Sequence, residues 1–566
     1  MRVILSALLL LIAGCTHYSE STYKEEPDSN RKTATEKLYD YSDFITEDLL
    51  KIHLSVLAHD SLEGRETGLP GQKKAAAYLV EQYRTMALTP AGYSESYLQA
   101  FNLSANVTDS LVYHLYSIPG EDTLLVDKFS SSDNSQSPFV KLFGGSVALS
   151  GDLVFAGFGV NDTGRGVNHL DGVDFSGKWV VIFEEIPYII EGDTLINPAI
   201  TENSRYGTLL GQKGARGVLL IGNETEKEFS RVSEIHSRLV DKPAGLSLPY
   251  RERSPAGQFP AGIVKTNPAV AASFLGYDSA EELFTYKSRL TANITDFEPY
   301  NLDYHLQYTP YTHSAELTTE NVIAFFEGGD PELKEEVIVL SAHYDHIGIT
   351  MPDEKGDMIN NGADDDGSGT VALLAIAQTL QRAAIDGFKP DRSILFLHVT
   401  GEEKGLLGSR YYSDHPLIPI DQTVANLNAD MIGRSTTARA ESGNTDYVFL
   451  IGGKIISSDL DSLVQVANNS TVNLTLDSRY NDLNDPNQFY RRSDHWNFGR
   501  FGIPFVFYFT GVHEDYHQPS DEIEKIDFPK LARVTKLIYS SMIEIANHPE
   551  RPAVDNEQFI KITRGN

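Results

Sequence analysis

The stretch that decides the fold is Val337-Ile-Val-Leu-Ser-Ala-His343-Tyr-Asp345, followed after a short loop by Asn361-Gly-Ala-Asp-Asp365-Asp366-Gly-Ser-Gly369. The apolar, β-branched run predicts a strand buried on both faces. A helix is predicted after the acidic turn, from Ser368 to Leu380. Reactive groups in open α/β sheets collect at the carboxyl ends of the strands. We therefore expect His343 and Asp365 to lie where a metal or substrate binds.

Strands and helices alternate through the rest of the second half. Strands are predicted at 321–327, 336–342, 393–399, 423–429 and 503–509, and Asp527 is predicted to cap the last long helix. This alternation predicts an α/β fold with a mostly parallel or mixed central sheet and helices on both faces. The sequence pattern of residues 122–295 is different, with short apolar runs separated by glycine turns. This pattern predicts an inserted β-rich domain.

Length and charge limit the possible classes of protein. A chain of 566 residues exceeds one ordinary hydrophobic core, so we expect a main domain in two parts, 38–121 and 296–566, around the insertion. The formal net charge is −32, which argues against nucleic acid as a partner because nucleic-acid binding needs a basic surface.

The N-terminus reads as a targeting segment. A short basic start and an apolar run lead to Cys15, the only cysteine of the chain. The run is too short to span a bilayer and is typical of a signal peptide. Its ending resembles a bacterial lipobox, and the alternative is an ordinary cleavage site with an incidental cysteine. We expect 1–15 to be a lipoprotein signal peptide, 16–37 a polar tether, and the protein to be exported and membrane-anchored, on the periplasmic or cell-surface side.

Five ligand-type side chains follow predicted strands or the acidic turn: His343, Asp365, Glu403, Asp430 and His517. Imidazoles and carboxylates without thiolate suit two zinc ions, with cobalt or manganese as alternatives, in a two-metal hydrolytic centre. Asp345 is predicted to accept the imidazole N–H of His343 and fix its tautomer. Glu402 is predicted to face the reacting water as general base.

The sequence also resembles a known family. Ser-Ala-His343-Tyr-Asp345, Gly-Ala-Asp-Asp365-Asp366-Gly-Ser-Gly, Thr-Gly-Glu402-Glu403, Asn-Ala-Asp430-Met and Tyr516-His517-Gln-Pro-Ser-Asp-Glu are similar to motifs of the co-catalytic zinc aminopeptidases of clan MH. Glutamate carboxypeptidase II and the transferrin receptor belong to the same family. The Leu62–Gly68 stretch also matches, and the inserted region resembles a protease-associated domain.

The resemblance implies a role for each site residue. Asp365 would bridge the two metals and be followed by a cis peptide bond to Asp366. His343 and Asp430 would hold one zinc, and Glu403 and His517 the other. Tyr516 is similar to a residue that polarises the scissile carbonyl. All ligand positions are filled, unlike in the transferrin receptor, which favours a working enzyme.

The resulting hypothesis is a lipid-tethered aminopeptidase that acts on peptides. The alternatives are a carboxypeptidase or dipeptidase on the same centre, a glutaminyl cyclase, and a non-catalytic binding protein. His346 and His398 are expected either to support the metal ligands or to be packed in the core, without binding metal themselves. Arg434 is expected either to meet a substrate carboxylate or to form a surface ion pair. The preferred residue, the native metal and the oligomeric state stay open.

Overall fold

A computed structural model describes residues 33–118, 123–129, 137–144, 147–190, 193–240, 242–251, 261–353 and 355–563. The predicted signal peptide, Cys15 and most of the predicted tether lie outside these residues. No helix within the described ranges combines the length and the apolar character needed to cross a bilayer.

The described part of the chain contains both α-helices and strands. The helices are α1 Ala34–Asp40, α2 Glu47–Leu57, α3 Pro70–Thr85, α4 Glu202–Tyr206, α5 Glu226–Ser237, α6 Pro268–Phe274, α7 Ala280–Ala292, α8 Gly369–Ile385, α9 Leu407–Asp414, α10 Thr437–Glu441, α11 Gly453–Ile456, α12 Ser458–Ser470, α13 Trp496–Gly499, α14 Phe528–Asn547 and α15 Glu557–Thr563. The strands are β1 Thr89–Pro90, β2 Leu98–Ser117, β3 Thr123–Phe129, β4 Phe139–Gly144, β5 Leu149–Phe155, β6 Asn161–Asp162, β7 Val167–Asn168, β8 Trp179–Phe183, β9 Ile189–Ile190, β10 Asp193–Thr194, β11 Gly217–Ile221, β12 Ala244–Ser247, β13 Gly262–Thr266, β14 Tyr300–Phe326, β15 Val337–His343, β16 Gly348–Ile349, β17 Ile359–Asn360, β18 Ser393–Val399, β19 Thr423–Ala429, β20 Tyr447–Gly452, β21 Thr475–Asp477 and β22 Phe505–Phe509.

One mixed sheet runs through the described structure in the order β21-β20-β22-β19-β15-β18-β14-β5-β8-β11-β13-β4. Strands β22, β19, β15 and β18 are parallel neighbours, whereas β14 runs antiparallel to β18. The carboxyl ends of the four parallel strands therefore meet at one edge of the sheet. The predicted α/β fold with a mixed central sheet is confirmed.

The central strand β15 is buried on both sides, as its continuous apolar run predicts. Ile338 and Leu340 belong to a core with residues of α2, α8 and α14, whereas Val337 and Val339 pack in a separate core on the opposite face. Helix α14 begins as predicted, since the Asp527 side chain accepts a hydrogen bond from the backbone N–H of Lys530.

Strand β14 is much longer than the predicted strand at 321–327. It begins at Tyr300, ends at Phe326, and pairs with β2 from Tyr304 to Val322. Its first part has alternating or largely exposed side chains, so no apolar run marks it in the sequence. Strands β2 and β14 thus form one extended ribbon, and β14 joins the two halves of the sheet because it lies between β18 and β5.

The segment between β2 and β14 contributes its own strands to the sheet. Strands β5, β8, β11 and β13 are parallel to one another, and two further hydrophobic cores pack on them. The boundaries 122–295 and the likeness to a protease-associated domain stay predictions.

Candidate metal centre

Five predicted side chains lie together at the carboxyl edge of the parallel strands. Strand β15 ends at His343, β18 ends three residues before Glu402, and β19 ends one residue before Asp430. His517 comes from the loop after β22. Because these strands are parallel neighbours, their ends deliver the side chains to one place.

The carboxylate of Asp365 lies between two histidines. Its Oδ1 atom is 3.2 Å from Nε2 of His343, and its Oδ2 atom is 3.1 Å from Nε2 of His517. Each oxygen thus faces a different imidazole, which is the arrangement that a bridging carboxylate needs. The peptide bond from Asp365 to Asp366 is cis, as the family resemblance implies.

Each histidine has a further acidic neighbour. Nε2 of His343 is 3.8 Å from Oδ1 of Asp430, and Nε2 of His517 is 3.1 Å from Oε2 of Glu403. The ligand atoms of His343, Asp365 and Asp430 all lie within 4.8 Å of one another. These two half-sites share Asp365.

His346 lies beside the predicted ligands, which is one of the two places expected for it. Its Nδ1 atom is 2.7 Å from Oε1 of Glu403, and His346, Asp365 and Glu403 form a second group with mutual ligand distances within 4.8 Å. Nε2 of His346 is buried and has no hydrogen-bond partner among the described residues. His398, in contrast, is packed in the core, 2.6 Å from the hydroxyl of Tyr83.

Asp345 fixes the His343 tautomer through its backbone and not its side chain. Nδ1 of His343 donates to the carbonyl oxygen of Asp345 at 3.0 Å, which leaves Nε2 free to bind a metal. The Asp345 carboxylate is 3.8 Å from that nitrogen. It accepts hydrogen bonds from the Thr67 hydroxyl at 2.7 Å and from the Glu402 backbone N–H at 3.2 Å. The prediction for the Asp345 carboxylate therefore needs correction, because the chain turns after His343 and aims the carboxylate at the Glu402 loop.

Glu402 differs from the other acids of the cluster. Its side chain is 12% exposed and lines the pocket, with Oε2 4.0 Å from Nε2 of His343. No residue within the described ranges donates a hydrogen bond to its carboxylate. Burial, and then the nearby charge of Glu403, raise the pKa of Glu402 well above its usual value. A carboxyl group that holds a proton easily, and that no other group engages, is suited to proton transfer.

The cluster concentrates negative charge. Asp365, Glu402, Glu403 and Asp430 meet here, and no lysine or arginine forms an ion pair with any of them in the part of the chain that the structure describes. Only histidines compensate them. Burial opposes the charged form of His517, but hydrogen bonds with Asp365 and Glu403 outweigh it and raise the pKa of His517 to about 10. Buried charges on this scale need a cationic partner.

A shell of hydrogen bonds holds the acidic residues in place. The Ser493 hydroxyl donates to Oδ2 of Asp430 at 2.7 Å. Asp366 accepts from the backbone N–H groups of His343 and Gly369, at 3.1 and 2.8 Å. Oδ2 of Asp521 accepts from the N–H of Asp365 at 3.1 Å. Asp366 is thus a structural residue of the site.

Arg65 fastens the backbone around the metal centre. It is buried, and its guanidinium donates to the carbonyl oxygens of Leu57, Tyr344, Asn361 and Gly362, at distances between 2.5 and 3.0 Å. Two of these carbonyls lie just before the turn that carries Asp365, and Tyr344 follows His343. One side chain therefore ties both halves of the acidic site to α2.

A pocket opens beside the cluster. Tyr516 lines it and stacks on the His517 ring, with centroids 3.8 Å apart and an angle of 24°. Burial, and then the surrounding carboxylates, raise the pKa of the Tyr516 hydroxyl far above its usual value, so it stays protonated. The pocket also has five apolar lining residues: Met431, Phe489, Phe507, Phe509 and Val512.

Sequence reasoning did not assign roles to Arg65, Thr67 and Asp521, although all three lie in motifs quoted above. Their hydrogen-bond partners lie far away in the sequence and come together only when the loops fold, so the spacing of the motifs did not reveal them. Arg434 does not face the site freely, because it pairs with Asp515 at 2.6 Å and Glu514 at 3.1 Å.

Part of the chain is similar to known peptidases. The profile of peptidase family M28 matches residues 321–542. A probable leucine aminopeptidase of Arthroderma benhamiae is 29% identical over 221 residues, which cover 38% of this chain and 56% of that protein. Aminopeptidase YwaD of Bacillus subtilis is 26% identical over 240 residues, covering 40% of this chain and 44% of the relative. The chain thus spans about half the length of the curated relatives it matches.

A solved structure resembles the whole described architecture. A peptidase M28 precursor from Shewanella amazonensis superposes with a TM-score of 0.50 at 15% identity, covering 92% of this chain and 98% of that one. At this identity the likeness concerns the fold alone. The matched profile contains every residue of the predicted ligand set. The part of the chain that matches peptidase family M28 is therefore residues 321–542, which contain the candidate metal centre.

Proposed function

We propose that this chain is a zinc-dependent aminopeptidase that hydrolyses N-terminal residues from peptides through a two-metal centre. The observation that carries the proposal is the position of Asp365, whose two carboxylate oxygens face His343 and His517 separately. The relatives named above as aminopeptidases support the choice of reaction.

The residues fit two divalent cations. The donor set consists of imidazole nitrogens and carboxylate oxygens, which suit zinc. His343, Asp365 and Asp430 would hold one ion, and Asp365, Glu403 and His517 the other. The fit is supported by four clustered carboxylates that have histidines but no lysine or arginine as ion-pair partners in the described structure. When bound, the ions supply Lewis-acid polarisation of the scissile carbonyl.

The side chains of the pocket divide the remaining work. Glu402 takes a proton from the attacking water and delivers it to the leaving amine, because it is the unengaged carboxylate at the pocket. The neutral hydroxyl of Tyr516 donates a hydrogen bond to the oxygen that gains negative charge. Asp345 positions Glu402 by accepting its backbone N–H.

The apolar residues that line the pocket suit hydrophobic groups in the first residue of the substrate. Met431, Phe489, Phe507 and Phe509 form a surface on which a leucine-sized or aromatic side chain loses contact with water. The free amine at the N-terminus of the substrate would be attracted to the carboxylates that line the same pocket, Asp365, Glu402 and Asp430.

We also propose export and lipid tethering through Cys15. The support comes from the sequence alone, in the basic start, the short apolar run and the single cysteine at its end. Labelled fatty acid incorporated into the wild-type protein, but not into Cys15→Ser, is the expected result. Equal labelling of both proteins would refute the tether.

The activity is tested with a panel of amino-acyl chromogenic substrates. We expect hydrolysis that stops with a chelator, returns with zinc and disappears when the substrate's α-amine is acetylated. Cleavage of acetylated substrates would instead favour a carboxypeptidase, release of ammonia from N-terminal glutamine a cyclase, and no turnover by fully loaded protein a binding role.

A further inference from the structure

One basic side chain lines the pocket beside the metal centre. The pocket wall that contains Phe489 and Ser493 also contains Arg492 between them in sequence, and all three residues face the same space as Glu402 and Asp430. Among the described residues that line this pocket, Arg492 is the only lysine or arginine.

Arg492 has no acidic partner in the part of the chain that the structure describes, although its neighbours do have partners. Arg434 pairs with Asp515, Arg500 with Asp414, and Arg491 donates to Gln488. Arg492 is exposed, and no ion pair or side-chain hydrogen bond of its guanidinium is found within the described ranges. The chain has 79 acidic and 47 basic residues, so most arginines have a carboxylate available as a partner. An arginine without one at the rim of a pocket is therefore a candidate ligand-binding residue.

The guanidinium is nevertheless held in position. Its central carbon lies 5.0 Å from the centroid of the Phe489 ring, within the range of a cation–π contact. Phe489 itself belongs to the buried aromatic core under the pocket. Stacking on a fixed ring reduces the entropy that the side chain loses when it binds a ligand.

The chemistry of Arg492 favours an anionic ligand. The guanidinium keeps its positive charge at any physiological pH, and no carboxylate among the described residues pairs with it. A planar guanidinium offers paired donors that match the two oxygens of a carboxylate.

We propose that Arg492 is a specificity residue that binds a carboxylate of the substrate. This inference rests on the proposed peptidase function and narrows its substrates to peptides that carry a carboxylate close to the scissile bond. Two parts of a peptide supply this chemistry: an acidic first side chain that reaches past Phe489, or the C-terminal carboxylate of a dipeptide.

Two pairs of substrates separate the two sources. Glutamyl- and leucyl-p-nitroanilide differ in the first side chain and lack a C-terminal carboxylate. Leucyl-glycine and leucyl-glycine amide differ only at the C-terminus. The values of kcat/KM are compared for wild-type zinc-loaded protein, Arg492→Gln, Arg492→Lys and the control Arg491→Gln, which changes the adjacent exposed arginine outside the pocket lining.

We expect Arg492→Gln to reduce the preference for the carboxylate-bearing member of one pair by about tenfold, as is typical of a lost charge-assisted hydrogen bond. Arg492→Lys should restore part of it, and Arg491→Gln should change neither pair. The preference of the wild-type protein should also weaken as salt is raised from low to high concentration, because the group is exposed.

A loss confined to the first pair assigns the side-chain carboxylate, and a loss confined to the second assigns the C-terminal one. An equal effect on all four substrates, or no effect on any, overturns the proposal. If the wild-type protein hydrolyses none of the four substrates, the proposed peptidase function is refuted. The role of Arg492 in carboxylate binding is then tested by calorimetric binding of leucyl-glycine and its amide. Equal affinities of both compounds for wild-type protein and Arg492→Gln would overturn it.

Discussion

Replacing Glu402 by Gln tests the proposed proton transfer most directly. The change keeps the size and shape of the side chain and removes its ability to accept a proton. Glu402 makes no hydrogen bond through its carboxylate within the described structure, and its backbone N–H bond to Asp345 is unaffected by the replacement. We therefore expect folding and metal content to be preserved while turnover falls.

The size of the loss follows from the surroundings. General acid–base catalysis contributes about 10²–10⁴-fold, which is about 2.7–5.4 kcal/mol of transition-state stabilisation. The upper half of this range applies if no neighbour can replace Glu402. Asp345 is buried and accepts from Thr67 and Glu402, and Asp430 accepts from Ser493. Asp365 and Glu403 face histidines. We expect kcat to fall by about 10³–10⁴-fold.

The assay compares kcat and KM for leucyl-p-nitroanilide with the zinc content of the same samples. Glu81→Gln is a matched control, since Glu81 is an exposed residue of α3 far along the chain from the site. A Glu402→Gln protein that keeps its zinc and turns over within tenfold of wild type would refute the role of Glu402. Loss of zinc would show instead that Glu402 is a ligand.

Three further predictions concern the metal centre and its support. Asp365→Asn should lose most of its bound metal at both sites, because the single carboxylate of Asp365 faces both histidines. Glu402→Gln should keep its metal, and metal analysis of dialysed samples compares the two variants. Metal binding to the apoprotein at pH 7 should release protons. Burial lowers the pKa values of His343 and His517, but the adjacent carboxylates have the larger effect and raise both pKa values, that of His517 to about 10. Both histidines therefore carry a proton that the metal displaces when it binds. Calorimetry in buffers with different ionisation enthalpies measures this, and a binding enthalpy that is independent of the buffer contradicts it. Arg65→Met should destabilise the protein by at least about 3 kcal/mol, because it leaves buried carbonyl groups without donors, and a thermal melt close to that of wild type would count against this account.

The parallel strands of the main sheet were the most predictable part of the fold. The predicted strands 393–399 and 423–429 have the observed bounds of β18 and β19. Strands buried on both faces need apolar side chains at every position, and such a run is visible in a single sequence. The first part of β14 was missed because its exposure alternates and its partner, β2, lies about 200 residues earlier in the chain.

The site was predictable to the level of its residues but not of its contacts. Parallel strand ends place His343 and Asp430 at one edge whatever the loops do. The direction of the Asp345 carboxylate and the approach of His346 to Glu403 depend instead on how the loop after β15 folds. That loop is tied down by Arg65, which is distant in sequence, so local spacing could not reveal it.

The ribbon of β2 and β14 has a consequence for how the molecule moves. At about 3.3 Å per residue, the 27 residues of β14 amount to roughly 90 Å of backbone, hydrogen-bonded to β2 along most of this length. Two bodies joined by a loop can swivel freely, but bodies that share a continuous ladder move only by flexing it. We therefore expect peptides to enter through rearrangement of the surface loops. The ribbon should resist bending and so limit the motion of the strands that follow β14 in the sheet, β5, β8, β11 and β13.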